Sequence, residues 1–127
     1  MTEADLKRGL KAALLAMMPG GFAVRHEDRF TAGVPDLSWT WNGRTTWIEI
    51  KKDTEPTAVQ RAVLARLGFA SGGRAIWIDY RAGRSRAKMR YGEIYDGRTG
   101  ERLAELERQA SWPHLEIAAY VKTWHLG

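Results

Sequence analysis

Leu6, Leu10, Ala13, Leu14 and Met17 recur at helical spacing, with Lys7, Arg8 and Lys11 off that stripe, so residues 4–18 are expected to form an amphipathic helix. Thr2 is a candidate N-cap, and Pro19-Gly20-Gly21 ends the element. FAVRHEDRF reads as a short strand running into a charged loop. Gly33-Val34-Pro35 punctuates the chain, and DLSWTW begins a second strand. Asn42-Gly43 is the strongest turn signal present, and it predicts an antiparallel hairpin between DLSWTW and TTWIEIKK.

A polar loop with Pro56 leads to Thr57, a candidate cap for the helix TAVQRAVLARLGF, whose Val59, Val63, Leu64 and Leu67 share a face. RAIWIDY is apolar almost throughout, as a strand covered on both sides requires. RAGRSRAKMR is a basic loop. YGEIYDGRTGERLAEL reads as a strand, a Gly-rich turn and then a second strand or a short helix. Ser111-Trp112-Pro113 opens a C-terminal helix, with Leu115, Ala118, Ala119 and Trp124 expected on its buried side. The order of elements predicts a single-domain mixed α/β protein.

One strand breaks its own pattern. Glu49 and Lys51 stand inside the apolar run TTWIEIKK, where branched and aromatic side chains are favoured. Residues two apart share a strand face, so these two point one way while Ile48 and Ile50 point the other. Counting outward from Asn42-Gly43 sets Asp36 opposite residues 49 to 51. Two acids and a lysine therefore converge at one end of a hairpin. Two carboxylates are hard oxygen ligands for a Mg2+ that keeps its remaining waters. Such an ion activates water and polarises a phosphoryl oxygen, and an ammonium beside it offsets charge building on phosphate.

Composition adds a substrate class. The chain has 127 residues and a net charge of +5. Sixteen Lys and Arg oppose nine Asp and Glu up to residue 90, whereas four oppose six beyond it. A basic body suits a polyanion, and a basic soluble protein of no such function shares the same charge. Cysteine is absent, which removes disulfide and thiolate chemistry and fits a cytoplasmic protein. The charged first helix is neither a signal peptide nor a membrane span.

Gly33-Val34-Pro35-Asp36, then Glu49-Ile50-Lys51, then Gln60 in the following helix resembles the PD-(D/E)XK nuclease superfamily. The likeness runs from Glu3 to about Tyr80 and is closest to small stand-alone VRR-NUC domains and Holliday-junction-resolvase-like nucleases. It implies a restriction-endonuclease-like mixed sheet flanked by helices over residues 1–127, with 81–127 an extension that no motif matches. It implies a Mg2+- or Mn2+-dependent deoxyribonuclease, with branched or junction DNA as a candidate substrate, a homodimer, and a phage or mobile-element setting. By the same resemblance Asp36, Glu49 and the Ile50 backbone carbonyl hold the metal and Lys51 is the catalytic lysine. Gln60 orients that lysine or contacts phosphate, and Glu3, with Asp5 as fallback, is the first-helix acid. The rival expectations are an inactive DNA-binding module of the same fold, or a nuclease targeted by a protein partner.

Lys52, Arg81, Arg84, Arg86, Lys88 and Arg90 are candidates for backbone phosphate contact, with a solvated loop as the alternative for the arginine run. His26 and Asp28 share a strand face, but two ligands make a poor metal site, and a loop role is preferred. Trp39, Trp41, Trp47 and Trp77 are expected in the core or covering the sheet. Packing is the preferred reading of Trp112 and Trp124 over base stacking or a dimer contact. Asp79 ends a strand and is in position to approach the site, and is given no role.

Overall fold

The computed structural model describes residues 2–26, 32–70, 72, 74–82 and 89–127. Its elements are α1 (Glu3–Met17), β1 (Phe22–Arg25), β2 (Leu37–Trp41), β3 (Arg44–Lys52), α2 (Ala58–Ala70), β4 (Ala75–Ala82), β5 (Arg90–Asp96), β6 (Arg102–Glu105) and α3 (His114–Leu126). The strands form one six-stranded sheet in the order β1-β2-β3-β4-β5-β6. Neighbouring strands run antiparallel except β3 and β4, which are parallel and joined through α2. A parallel pair needs such a crossover, and the helix it supplies must lie against the sheet.

The two sheet faces differ. Ile48, Ile50, Ile76, Ile78, Tyr80 and Ile94 face a continuous core with Leu6, Leu10 and Leu14 of α1 and Ile117, Ala118 and Val121 of α3. On the other face, Trp47, Ala75, Trp77 and Tyr95 pack with Leu64 of α2. Alternation along β3 and β4 carries Glu49, Lys51 and Asp79 onto this second face.

The hairpin forms as its turn residues dictate. Asn42 and Gly43 both take positive φ, 53° and 75°, as a two-residue primed turn requires. That fixes Leu37 opposite Ile48 and sets the chain just before β2 beside Glu49 and Ile50. The segment after β5 is a strand, β6, not a short helix.

The buried side of α3 matches the expected one at Ala118, with Trp124 packed against the core, and differs from it elsewhere. Leu115 is 57% exposed, and the buried residues are Ile117, Ala118, Val121 and His125. A histidine completes the stripe, so counting apolar residues alone sets the wrong phase. His125 Nε2 donates to the Trp41 carbonyl at 2.6 Å and Nδ1 accepts from the Thr46 hydroxyl at 2.8 Å. Burial holds this ring below the ordinary histidine pKa and so neutral, as that donor–acceptor pair requires. Val59 likewise lies 53% exposed on α2, lining the close approach of Gly33. At the C-terminal cap of α1, Met18 is buried in place of the expected Met17, and its sulfur accepts from Trp39 Nε1 at 3.2 Å.

Gly97 shows how tightly the β5 turn is held. Its amide donates to the Ala75 carbonyl at 2.7 Å, and a Cβ there would stand 2.7 Å from that oxygen and 2.8 Å from Leu64 Cγ. Gly97→Ala is expected to destabilise the fold by about 1–3 kcal/mol, because the nearest obstacle is backbone. Urea unfolding that leaves the midpoint unchanged would contradict this.

Candidate active site

Asp36 stands immediately before β2, where the Gly33-Val34-Pro35 turn delivers it. Its Oδ2 accepts from the Ile50 amide at 2.8 Å. Amides alternate in direction along β3: that of Trp47, and that of Asp53 just past the strand's end, donate to the Arg74 and Tyr80 carbonyls on the β4 side. Ile50 therefore turns its N–H toward Asp36, and in an extended strand its carbonyl faces the same edge, beyond the end of the β2 ladder.

Glu49 is 2% exposed. Its Oε2 is buried and receives no hydrogen bond from a donor among the described residues, although Glu49, when protonated, can donate to the Asp36 carboxylate beside it. Burial, reinforced by the adjacent Asp36 carboxylate, pushes its pKa up to about 8, against the opposing pull of Lys51 and Lys7. Lys51 Nζ stands 3.7 Å from Glu49 Oε1, beyond good hydrogen-bond length, with its side chain 14% exposed. The Glu-x-Lys spacing thus brings both groups to one face, as the strand period demands.

From α1, Lys7 reaches the same acids: its Nζ is 2.8 Å from Asp36 Oδ1. Sequence periodicity assigned Lys7 only to the polar side of the helix. Glu3 lies one turn earlier on that side, four residues before Lys7, and is half-buried. Among the described residues no three acidic or histidine side chains converge as a metal cage, so Glu3 does not join Asp36 and Glu49 in one cluster. Asp5 is occupied otherwise. It closes a capping box with Thr2 and contacts Arg8, and these partners hold its carboxyl down at about 2.

Gln60 also has a local partner. Its Oε1 accepts from the Thr57 amide at 2.9 Å while its own amide donates to Thr57 Oγ1 at 3.2 Å, a second capping box at the start of α2. No described hydrogen bond joins it to Lys51.

The cations proposed for phosphate contact are variously held. Arg81 is clamped by Asp79 Oδ2 at 2.8 Å and Glu93 Oε1 at 2.7 Å. Arg90 donates to the Ala110 carbonyl and stacks over Trp112. Lys52 is half-buried on the face opposite Lys51, beside Tyr80 in the ladder. Arg84, Arg86 and Lys88 lie outside the described residues, as does Asp28. His26 leans on the Trp47 ring and pairs with Ser38 Oγ at 2.9 Å. Trp112 and Trp124 pack against the main core.

Asp79 is 1% exposed and neighbours Lys51 across the parallel ladder. Burial pushes its pKa up to about 6, despite the Arg81 guanidinium. The acids therefore continue from β3 to Asp79 and on to Glu93 of β5 along one sheet face. A cavity of about 360 Å³ opens elsewhere, lined by Arg74, Arg98, Tyr120 and Trp124. The carboxylates themselves lie outside that cavity.

The residues present fit a divalent cation. An orphaned buried carboxylate oxygen, a second carboxylate and a backbone carbonyl on one edge are hard oxygen donors of the kind Mg2+ and Mn2+ take, with water completing the shell.

Among solved structures, the chain is similar to Hjc, a Holliday junction resolvase from the archaeal hyperthermophile Archaeoglobus fulgidus. The TM-score is 0.51 at 18% sequence identity, over 91% of this chain and 96% of that one. The fold is of the resolvase and restriction-endonuclease-like type. No protein-family model matches the chain, and no curated protein sequence matches it. Among the described residues no helix is long and apolar enough to cross a membrane.

Proposed function

We propose that this protein is a divalent-metal-dependent DNA endonuclease of the PD-(D/E)XK type, related to VRR-NUC and resolvase-like enzymes. One observation carries the reading: Glu49 is buried beside Asp36 with an unpartnered oxygen, and Lys51 stands on the same face. Two carboxyls so close, one of them out of water, resist ionising together even with Lys7 and Lys51 beside them, and a divalent ion supplies the further positive charge that lets both ionise. A structural or purely DNA-binding role gives no reason to keep that arrangement beside a polyanion.

In this reading Asp36, Glu49 and the Ile50 carbonyl hold Mg2+ or Mn2+. The bound ion supplies an activated water and a Lewis acid at the phosphoryl oxygen. Asp36 is oriented by the Ile50 amide, so its ligating oxygen is fixed before the ion arrives. Lys51 directs its ammonium at the oxygen on which charge accumulates. The sheet face around Glu49 and Lys51 shields both from bulk water, which strengthens each interaction. Gln60 keeps α2 capped in register with this face and is a further candidate for phosphate contact. A homodimer would bring two such sites to one duplex or junction.

The neighbour's description as a Holliday junction resolvase supports trying branched DNA first. The deciding assay compares a four-way junction, supercoiled plasmid and single-stranded DNA with Mg2+, Mn2+ or EDTA, alongside Asp36→Ala. Metal-dependent cutting that Asp36→Ala abolishes is expected. Binding without cutting in either metal would leave the inactive module as the better account, unless an added partner restored cleavage.

A further inference from the structure

Lys7 raises a question of occupancy at the site. Its ammonium lies 2.8 Å from Asp36 Oδ1, and the two side chains are 18% and 20% exposed. The other Asp36 oxygen is already committed to the Ile50 amide. Oδ1 is thus the Asp36 oxygen left for a cation, and Lys7 has it. Lys7 also pulls on Glu49, whose carboxyl it helps to hold down against burial. Each acid therefore has its own ammonium: Lys7 for Asp36, from α1, and Lys51 for Glu49, from its own strand.

A divalent ion held by Asp36 and Glu49 needs the Oδ1 edge that Lys7 covers. An ammonium and a divalent ion cannot share that oxygen without strong like-charge repulsion. We propose that Lys7 is a resident competitor for the metal: the ion displaces its ammonium from Asp36, and the displaced group then pairs with a phosphate of the DNA backbone. The inference rests on the metal-dependent nuclease reading. It has a two-signed consequence. Lys7 weakens metal binding by the free protein and strengthens DNA binding once the metal is in, so DNA and metal promote each other's entry. A merely structural ion pair between α1 and the residue before β2 would instead support both.

The test is calorimetric titration of Mn2+ into the wild-type protein, Lys7→Met, Lys7→Arg, Asp36→Asn and Glu49→Gln at about pH 9, above the wild-type Glu49 pKa of about 8, in two buffers of different ionisation enthalpy so that any proton leaving Glu49 is counted separately. A second arm measures binding of a labelled DNA junction in Ca2+ by fluorescence anisotropy. Lys7→Met is expected to bind Mn2+ about fivefold tighter and the junction about fivefold more weakly than wild type, the scale of one partly exposed ion pair. Lys7→Arg should restore both values, and Lys7→Gln repeats the charge change should the methionine variant fail to fold. Mn2+ affinity unchanged or weakened in Lys7→Met overturns the competitor role. If Asp36→Asn and Glu49→Gln abolish Mn2+ binding while Lys7→Met leaves it unchanged, only this inference falls. If those two acid variants bind Mn2+ as wild type does, the metal site falls and the inference with it.

Discussion

Lys51→Ala is expected to cut the rate of metal-supported DNA cleavage by about a hundred- to a thousandfold, the loss typical of removing one group that stabilises developing charge. The loss should fall on kcat, with KM nearly unchanged, because the ammonium acts on the phosphoryl group as charge builds. Its position supports this. Lys51 Nζ is 3.7 Å from Glu49 Oε1, too far to be spent on a strong hydrogen bond, yet its side chain is only 14% exposed. A group desolvated to that degree and loosely held is free to turn toward a phosphate. Asp36→Ala should differ in kind, losing metal affinity along with rate. Single-turnover cleavage at saturating Mn2+, with metal affinity measured separately, distinguishes the two. A Lys51→Ala enzyme within tenfold of wild type would remove Lys51 from the chemistry.

Much of this site was legible because strand arithmetic is strict. Asn42-Gly43 fixes the turn, the turn fixes the register, and the register sets Asp36 beside Glu49 and Ile50. The period of two then aligns Lys51 with Glu49. Residues in the crossover were less legible. Gln60 fits a nuclease motif, but Thr57-x-x-Gln60 is also a capping-box pattern, and the second meaning is the one its hydrogen bonds express. Lys7 was hidden for another reason. Helical periodicity assigns a residue to a side of its helix and says nothing about which strand end that side meets.

Asp79 could be set at a strand end near the site, but its place beside Lys51 was hidden by the parallel ladder. It is the one charged residue of IWIDY, and its neighbour across β3 depends on the length of the α2 crossover, which no local pattern fixes. Turn type determines antiparallel register; parallel register has no such rule. His125 misled in the opposite direction, since a histidine satisfied by Thr46 and Trp41 takes a core position that an apolar pattern assigns elsewhere. In each case the missing information was tertiary.

Glu49→Gln is expected to flatten the dependence of stability on pH. Burial and the Asp36 carboxylate raise the Glu49 pKa from its ordinary 4.5 to about 8 in the folded chain. Between those values the native protein keeps a proton that the unfolded chain has released. The stabilising contribution is therefore complete below about pH 4.5 and is lost as pH rises through 8. With about 1.4 kcal/mol per pKa unit and some relaxation of the charged form, wild type should lose roughly 2–4 kcal/mol across that window. The glutamine variant, with no proton to release there, should be the more stable protein at about pH 9. Metal reverses the ranking, because the ion requires the ionised carboxylate. Below pH 8 each ion bound should displace one proton from Glu49, so log affinity should rise by about one per pH unit. Added Mn2+ should raise the wild-type melting temperature at about pH 9 and leave Glu49→Gln nearly unmoved. Melting curves at several pH values, with and without Mn2+, read both effects. Parallel metal-free pH profiles for the two proteins would mean that Glu49 is already ionised when folded, and a wild-type melting temperature that Mn2+ leaves unmoved would mean that Glu49 is not the point at which a cation enters.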